Sequence, residues 1–595
     1  MLKILKQKNG VFFVMLLLLI TKVLGFLKLR TIAQLFGVSH ELDIFWAAFT
    51  IPDMLFMILV AGSINAAVIP IFSEVLHKKG KEYLNEFFNH LALIISAFCT
   101  VIALLFFVFT PQLTTVLIES DVLQNVLSFA ERVDGNDFEL FVMLTRIMMI
   151  SPVLLGISSL LTGYLQVRKE FFITSLAPLF YNLAMIIGSV VLVVFFKMGI
   201  EGIAISAVIG SLLHFLIQIP KFKTYYDTRF RMGFDTLMEG LRNHHTLRAL
   251  KLAIPRTIGI FGEQINVVVN TLISFSLAAG ALSAYKFALS LHMFPINIIG
   301  SAVAQVALPD LAENCDEKEK FCEVLNKSIQ ISLFLIFPIV AVLIVLRLPL
   351  VRLAYGVGAF DWRATILTAW CLVLLSLSVV GQTIVQILLR AFYALKETWL
   401  PLIAITAGIL VNISLAFLLT NFFSHYYDWR PILEQMFLQI TQANGTGFVN
   451  VFLSFLKDVV RWSTERGDSD MAVGGLSLSL SLAYFVEMLF LIFLLNIKSR
   501  IITWKESIFP TVKKLLNTLL MCIGMYFVFK LFDFQLDTTR TVSIVVLTVI
   551  TTLYGFLSYW LGCKVFKIEE IRIIDNVIDD IKGNLFKSKG VDENI

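Results

Sequence analysis

Charge is what this sequence has least of. Asp, Glu, Lys and Arg make up only 15% of its 595 residues, whereas a soluble domain carries roughly one-quarter. That deficit excludes a chain bathed in water on all sides. Cysteine is also sparse, with 6 in all. Cys99, Cys371, Cys522 and Cys563 fall in apolar runs, and Cys315 and Cys322 share one polar stretch. No histidine or further cysteine completes a zinc set around that pair, so they read as free thiols and no metal site is expected. Enzyme signatures are missing too. The sequence contains no GxxxxGK[ST] phosphate loop, no HExxH and no GxSxG, which excludes the usual routes to ATP hydrolysis, zinc proteolysis and serine hydrolysis. Asp468-Ser469-Asp470 has the form of a metal-holding DxD, but its setting, RGDSDMAVGG, reads as a solvated turn and helix cap. Asn444-Gly445-Thr446 matches a glycosylation sequon, a pattern too short to decide anything. No cofactor and no nucleic-acid partner is expected.

What the chain does have is long apolar runs. Hydrophobic residues make up 58% of it, and its mean hydropathy is +0.84. The runs are roughly 20–28 residues long, enough for a helix to cross a bilayer, and they do not alternate in ten-residue segments as barrel strands would. In lipid only helices or closed barrels leave no backbone group unpaired. The expected fold is therefore an all-α polytopic membrane protein with about 14 transmembrane helices. They lie near 11–36, 43–76, 84–110, 139–165, 171–196, 200–220, 250–279, 281–309, 328–347, 364–393, 400–420, 472–497, 511–532 and 541–563. The first run lacks a small-residue cleavage site, so it is read as a retained helix.

Positive charge is distributed unevenly between the two sides. With the N-terminus placed in the cytoplasm, 31 of the 48 Lys and Arg residues fall on inner segments, 11 on outer ones and 6 within spans. That excess follows the positive-inside rule and puts both termini in the cytoplasm. The first outer loop, ESDVLQNVLSFAERVDGNDFE, is acidic, in agreement.

Ionisable residues at membrane depth are costly and mark function. The first span reads LITKVLGFLKLRT over residues 19–31. Lys22 lies about 17 Å from its start, near the midplane, and is expected to face a wet interior. Lys28 and Arg30 lie nearer the outer surface, within snorkelling reach. At 100° per residue the three cations diverge around the helix, so a bend or irregularity near Gly25 is expected. Asp43 opens the second span as a cap, a counter-ion or both. In the seventh span Glu263, Asn266 and Asn270 form one polar stripe, with Arg256 one or two turns earlier. Interhelical hydrogen bonding is the simplest use of such asparagines. The eighth span carries Lys286 in ALSAYKFALSLHMFP, followed by Ser290 and His292. A weak internal echo joins AGSINAAVIPIFSE (61–74) to GSAVAQVALPDLAE (300–313). Six spans separate the copies, which points to two parallel six-helix halves.

Several stretches, in order, resemble the MurJ/MviN lipid II flippases of the MOP exporter superfamily. They are TKVLGFLKLRTIAQLFGVSHELDIFWAAFTIPDMLFMILVAGSINAAVIPIFSE, AIPRTIGIFGEQINVVVNTLIS, FPINIIGSAVAQVALPDLAE, LAYGVGAFD and LLRAFYALKETWLP. The resemblance covers roughly residues 10–420 and 472–565. It implies two six-helix lobes around a central cavity plus two C-terminal helices forming a lipid-tail groove. In this sequence those parts are an N-lobe at 1–220, a cytoplasmic linker at 221–249, a C-lobe at 250–497, the groove at 498–563 and an amphipathic tail at 564–595. It further implies export of a polyprenyl-pyrophosphate lipid, the undecaprenyl-linked peptidoglycan precursor lipid II, by alternating access driven by the membrane potential or a coupling ion. Lys22 and Lys28 match the family's first-helix arginines, and the arginine of its eighth helix falls at Ser290, one turn from Lys286. The charged residues the family carries in its second helix are absent from Leu55–Gly62, and its acidic residue beside the second cation is Leu29 here. Lysine lacks arginine's bidentate fork toward pyrophosphate.

Two other functions fit parts of the sequence. One is a MOP-type exporter of another polyprenyl-linked glycan or of a small molecule. The other is a membrane scaffold or a glycan-assembly enzyme built around Asp468 and Asp470. The segment 421–471 is an outer insertion relative to the resemblance. Within it Phe448, Phe452, Phe455 and Val459 form one helical face opposite Asn450, Ser454, Lys457 and Arg461. This helix is expected to lie on the outer leaflet, cover the cavity mouth or dock cell-wall synthesis partners. Ile571, Ile574, Ile578, Ile581 and Leu585 form a similar stripe in the tail.

Overall fold

The structure is a computed structural model that describes residues 2–58, 68–119, 135–226, 231, 233–442, 445–499, 504–572 and 575. Every regular element among them is helical. The first compact unit comprises Met1–Ala284 together with Tyr355–Ala364. It contains α1 (Leu2–Phe36), α2 (His40–Phe56), α3 (Ile69–Glu119), α4 (Gly135–Met148), α5 (Ile150–Val167) and α6 (Phe171–Ser189). A π-helical turn, Val190–Phe195, extends α6, and α7 (Glu201–Leu216), α8 (Ile219–Lys223), α9 (Phe234–Arg242) and α10 (His244–Phe275) follow. The second unit comprises Tyr285–Ala354 and Thr365–Ile595. It takes most of α11 (Ala281–Pro295), then a π-helical turn (Ile296–Gly300), α12 (Ser301–Glu313), α13 (Lys318–Val345), α14 (Arg347–Tyr355) and α15 (Trp362–Ala394). After these come α16 (Trp399–Ser424), α17 (Tyr426–Thr441), α18 (Gly445–Thr464), α19 (Val473–Ser499), α20 (Phe509–Gln535) and α21 (Thr541–Val565).

Among the described residues, 11 helices are long and apolar enough to cross a membrane. The other three expected spans correspond to α1, α2 and α10, the last with a shorter apolar stretch at Ile260–Phe275. Several helices outrun their apolar cores. α13 begins ten residues before its expected span, at Lys318, because its polar first turns continue the same helix. α3 changes direction at Gly80, whose φ of 84° breaks the helical path. Residues 61–67 of the first echo copy, the acidic loop 120–134, Asn444, and Ile574, Ile578, Ile581 and Leu585 of the tail lie outside the described residues. The second echo copy opens at the π-helical turn Ile296–Gly300 and continues as α12.

The expected irregularity in α1 is not there. Leu2–Phe36 is one uninterrupted α-helix through Gly25. Gly25 faces α6, where a Cβ would meet Asn182 Nδ2 at an ordinary contact distance of 3.8 Å; that nitrogen donates to the carbonyl of Thr21 at 3.3 Å. The helix ends at Gly37, whose φ of 60° suits glycine and whose N–H bonds back to Ala33 at 2.8 Å. The carbonyl of Gln34, one of the unpaired groups of that last turn, accepts from Ala359 N at 2.9 Å. This approach requires Gly358, where a Cβ would lie 2.4 Å from the same oxygen. LAYGVGAFD, conspicuous as a motif, is thus the lock on the α1–α2 turn.

In the second unit α16 and α19 pack through small residues. A Cβ on Gly475 would lie 2.3 Å from the Leu419 carbonyl oxygen, and buried Asn412 accepts from Ser479 Oγ at 3.1 Å. Membrane helices associate by such backbone approach, since lipid provides no hydrophobic drive between them. The insertion is a hairpin of two helices rather than one. Phe423, Trp429 and Trp462 are buried together in it, with Phe455 and Val459 against them. Gly475→Ala is expected to destabilise the protein by about 1–3 kcal/mol through overpacking against backbone. The check is the thermal unfolding midpoint in detergent, and an unchanged midpoint contradicts this packing.

Candidate functional site

The first unit gathers most of the residues singled out in the sequence. Asp43 stands in the first turn of α2, which Ser39 caps by accepting from Leu42 N at 3.3 Å. Its carboxylate is buried and fully engaged. Oδ2 accepts from Gly280 N at 2.7 Å, and Oδ1 accepts from Ser283 N at 2.7 Å and Ser283 Oγ at 2.6 Å. These donors belong to the first turn of α11, whose N–H groups have no partner within their own helix. Of the two roles expected for Asp43, the structure shows the cap, and the helix it caps is not its own. The same turn is braced from the side: His40 Nε2 lies 2.7 Å from Asp137 Oδ2 on α4, and its ring stacks on Phe275 at 6.2 Å.

Lys22, Lys28 and Arg30 occupy one rigid helix and do not share a face. Lys22 is exposed, on the same side as Leu18 and Leu19 one turn before it. It makes no ion pair or hydrogen bond among the described residues. Lys28 is half-buried and turns to α6, with Nζ 5.4 Å from the centroid of the Tyr181 ring. That distance is within cation–π range, worth about 0.5–2 kcal/mol. Asp53, on α2, lies close enough for its charge to act on both Lys28 and Tyr181. Arg30 is half-buried near the end of α1. Lys28 is thus set against an aromatic face and within reach of a carboxylate's charge.

On α10 the polar stripe runs from exposed Glu263 through half-buried Asn266 to buried Asn270. It is one line of residues in three environments. Arg256 lies on the same helix, and its side chain is outside the described residues. In the second unit, α11 presents Lys286 and Ser290 on a half-buried side while Phe287 and Ala288 are buried. Two residues beyond Ser290, His292 is buried, with Nε2 2.9 Å from Ser378 Oγ and accepting from Gln382 Nε2 at 2.9 Å.

Sequence reasoning passed over Asp53, Tyr181, Ser378 and Gln382. Asp53 carried a usable signal, as an acidic residue ten positions into an apolar span. Tyr181 did not, because aromatic residues fill every span. Ser469 caps the helical turn at Asp470–Ala472, accepting from Met471 N at 3.2 Å, as its setting predicted. Among the described residues none of the six cysteines is in a disulfide.

The family model described as Lipid II flippase MurJ matches residues 32–427. The chain belongs to the MurJ family of lipid II flippases. A Burkholderia cenocepacia lipid II flippase MurJ is 28% identical over 396 residues, 66% of this chain and 74% of that protein. The solved structure of a lipid II flippase MurJ in an inward closed conformation shares the fold. Its TM-score is 0.67 at 22% identity, and the match covers 93% of this chain and 98% of that one. An inward-facing multidrug resistance MATE transporter of the MOP superfamily has a TM-score of 0.58 at 12% identity, covering 81% and 94% of the two chains. MurJ members are transporters, not enzymes, and this chain is a multi-pass membrane protein of that family.

Two substitutions test the cap. Asp43→Ala leaves several buried N–H and O–H groups unpaired and is expected to cost about 2–4 kcal/mol of stability. Asp43→Asn keeps an acceptor and should lose less. Thermal unfolding of both variants in detergent provides the comparison, and equal losses would show that acceptor geometry is not what matters.

Proposed function

We propose that this chain moves lipid II, a polyprenyl-pyrophosphate-linked peptidoglycan precursor, from the inner to the outer leaflet of the bacterial cytoplasmic membrane. The observation that carries this reading is membership of the flippase family, joined to lysines at membrane depth. Pyrophosphate does not enter hydrocarbon unaided. Cations in a wet, partly desolvated chamber replace its hydration and act more strongly than they would in water. Lys22, Lys28 and Arg30 on α1, Arg256 on α10, and Lys286 with Ser290 on α11 are assigned to the headgroup. Lys28 is the anchor among them, since Tyr181 and Asp53 fix its position before substrate arrives. Asp43 joins the group from α2, holding the start of α11 beside them. Glu263, Asn266 and Asn270 offer hydrogen bonds along the path.

No covalent step is required. Transport proceeds by alternating access, as in other two-lobed carriers. Both termini are assigned to the cytoplasm on the excess of Lys and Arg there. A membrane potential of 100 mV contributes about 2.3 kcal/mol per charge moved, enough to bias the cycle.

In a flippase-depleted bacterial strain, Lys28→Ala and Lys286→Ala are expected to abolish growth while protein levels stay normal. Lys28→Arg, which keeps charge, should restore part of it. Full rescue by both alanine variants would remove these lysines from the site. Binding of purified protein to lipid II, compared with other polyprenyl-pyrophosphate glycans, distinguishes this substrate from its near relatives.

A further inference from the structure

The helix α18 carries two apolar faces, and only one of them is used inside the protein. The C-terminal half of the face singled out in the sequence turns inward: Phe455 and Val459 pack with Trp462, Trp429 and Phe423, while Phe452, on the same face, stays 38% exposed. That aromatic cluster fixes the rotation of α18 about its axis. A second stripe, Val449, Leu453, Leu456 and Val460, is left open. These residues are 50%, 51%, 46% and 67% exposed. Their spacing of four, three and four residues lines them along a single side of the helix. Next to the stripe run Asn450, Ser454, Lys457 and Arg461, one residue further round the helix at each turn.

We propose that this second stripe inserts into the lipid interface of the bilayer, so that the α17–α18 hairpin lies on the membrane surface. Three features favour lipid over a protein partner. The hairpin is joined at both ends to membrane-crossing helices, starting two residues after Ser424 of α16 and returning to the membrane at Val473 of α19, so it stays at the membrane surface. The stripe is wholly aliphatic, whereas the centres of protein interfaces are enriched in Trp, Tyr and Arg. Lys457 and Arg461 border it, Arg461 also lying 3.5 Å from Asp458 Oδ1, and both are exposed and placed to reach lipid phosphates while the stripe enters the acyl boundary. The exposed Phe437, Leu438 and Ile440 near the end of α17 add apolar surface to the same hairpin.

The test is nitroxide accessibility on the purified full-length chain in vesicles of phosphatidylethanolamine and phosphatidylglycerol. Labels are introduced by Leu453→Cys, Leu456→Cys, Ser454→Cys and Lys457→Cys, one at a time. The background has the 6 native cysteines replaced and must first be shown to support growth of the depleted strain. The ratio of oxygen to nickel-chelate accessibility is expected to be several-fold higher at 453 and 456 than at 454 and 457. Equal, nickel-rich accessibility at all four sites would mean a hairpin standing in water. Low accessibility to both reagents at 453 and 456 would mean a second copy covering the stripe. Either result overturns the proposal. Vesicles of phosphatidylcholine alone test the basic border, and loss of the oxygen preference there is expected to be partial.

Discussion

A polar group buried in this chain has to find its partner in protein, because the lipid around the helices has none to give. Two buried charges show it. Asp43 takes three hydrogen bonds from the start of α11. Lys514, its side chain buried, donates to Gln330 at 2.5 Å and to Glu570 at 2.7 Å. Removing one member of such a set leaves the rest stranded, which in a low-dielectric setting costs more than the bond returned on forming.

The same constraint separates structural charges from functional ones. A carboxylate that is buried and already takes three hydrogen bonds, such as Asp43, is committed to holding the fold. Lys28 is different. An aromatic face and a nearby carboxylate orient it, yet a ring face takes none of its N–H donors. Lys22 is more open still. In a transporter of a pyrophosphate lipid the useful cations are those held in place with donors to spare. By that criterion α1 supplies the clearest candidates.

Glycines do a different job from the one sequence logic assigned to Gly25. A glycine between cations suggested a bend, but the helix stays regular through Gly25, where a Cβ would find ordinary contact distance. The glycines that the fold requires are elsewhere: Gly358 lets a loop reach the last turn of α1, and Gly475 lets α16 and α19 touch. In each case the reason is the close approach of another element, and that element lies far away along the chain.

The sequence alone determined the all-α class, the rough limits of most spans, the uneven distribution of positive charge and the family. These follow from composition and period, which local physics reads directly: a run of some twenty apolar residues has one stable form in lipid. It also named Asp43, Lys28 and Lys286 as residues needing explanation, because a charge at membrane depth is conspicuous in any sequence. Only the tertiary structure decided what each charge meets. Nothing local to Asp43 announces Ser283, some 240 residues on, and nothing local to Lys28 announces Tyr181. The periodicity of α18 allowed two apolar faces, and the choice between them waited on where Trp429 and Phe423 stood. Which partner completes a hydrogen bond, or which stripe is covered, depends on helices meeting in space, and one-dimensional patterns carry no information about which helices meet.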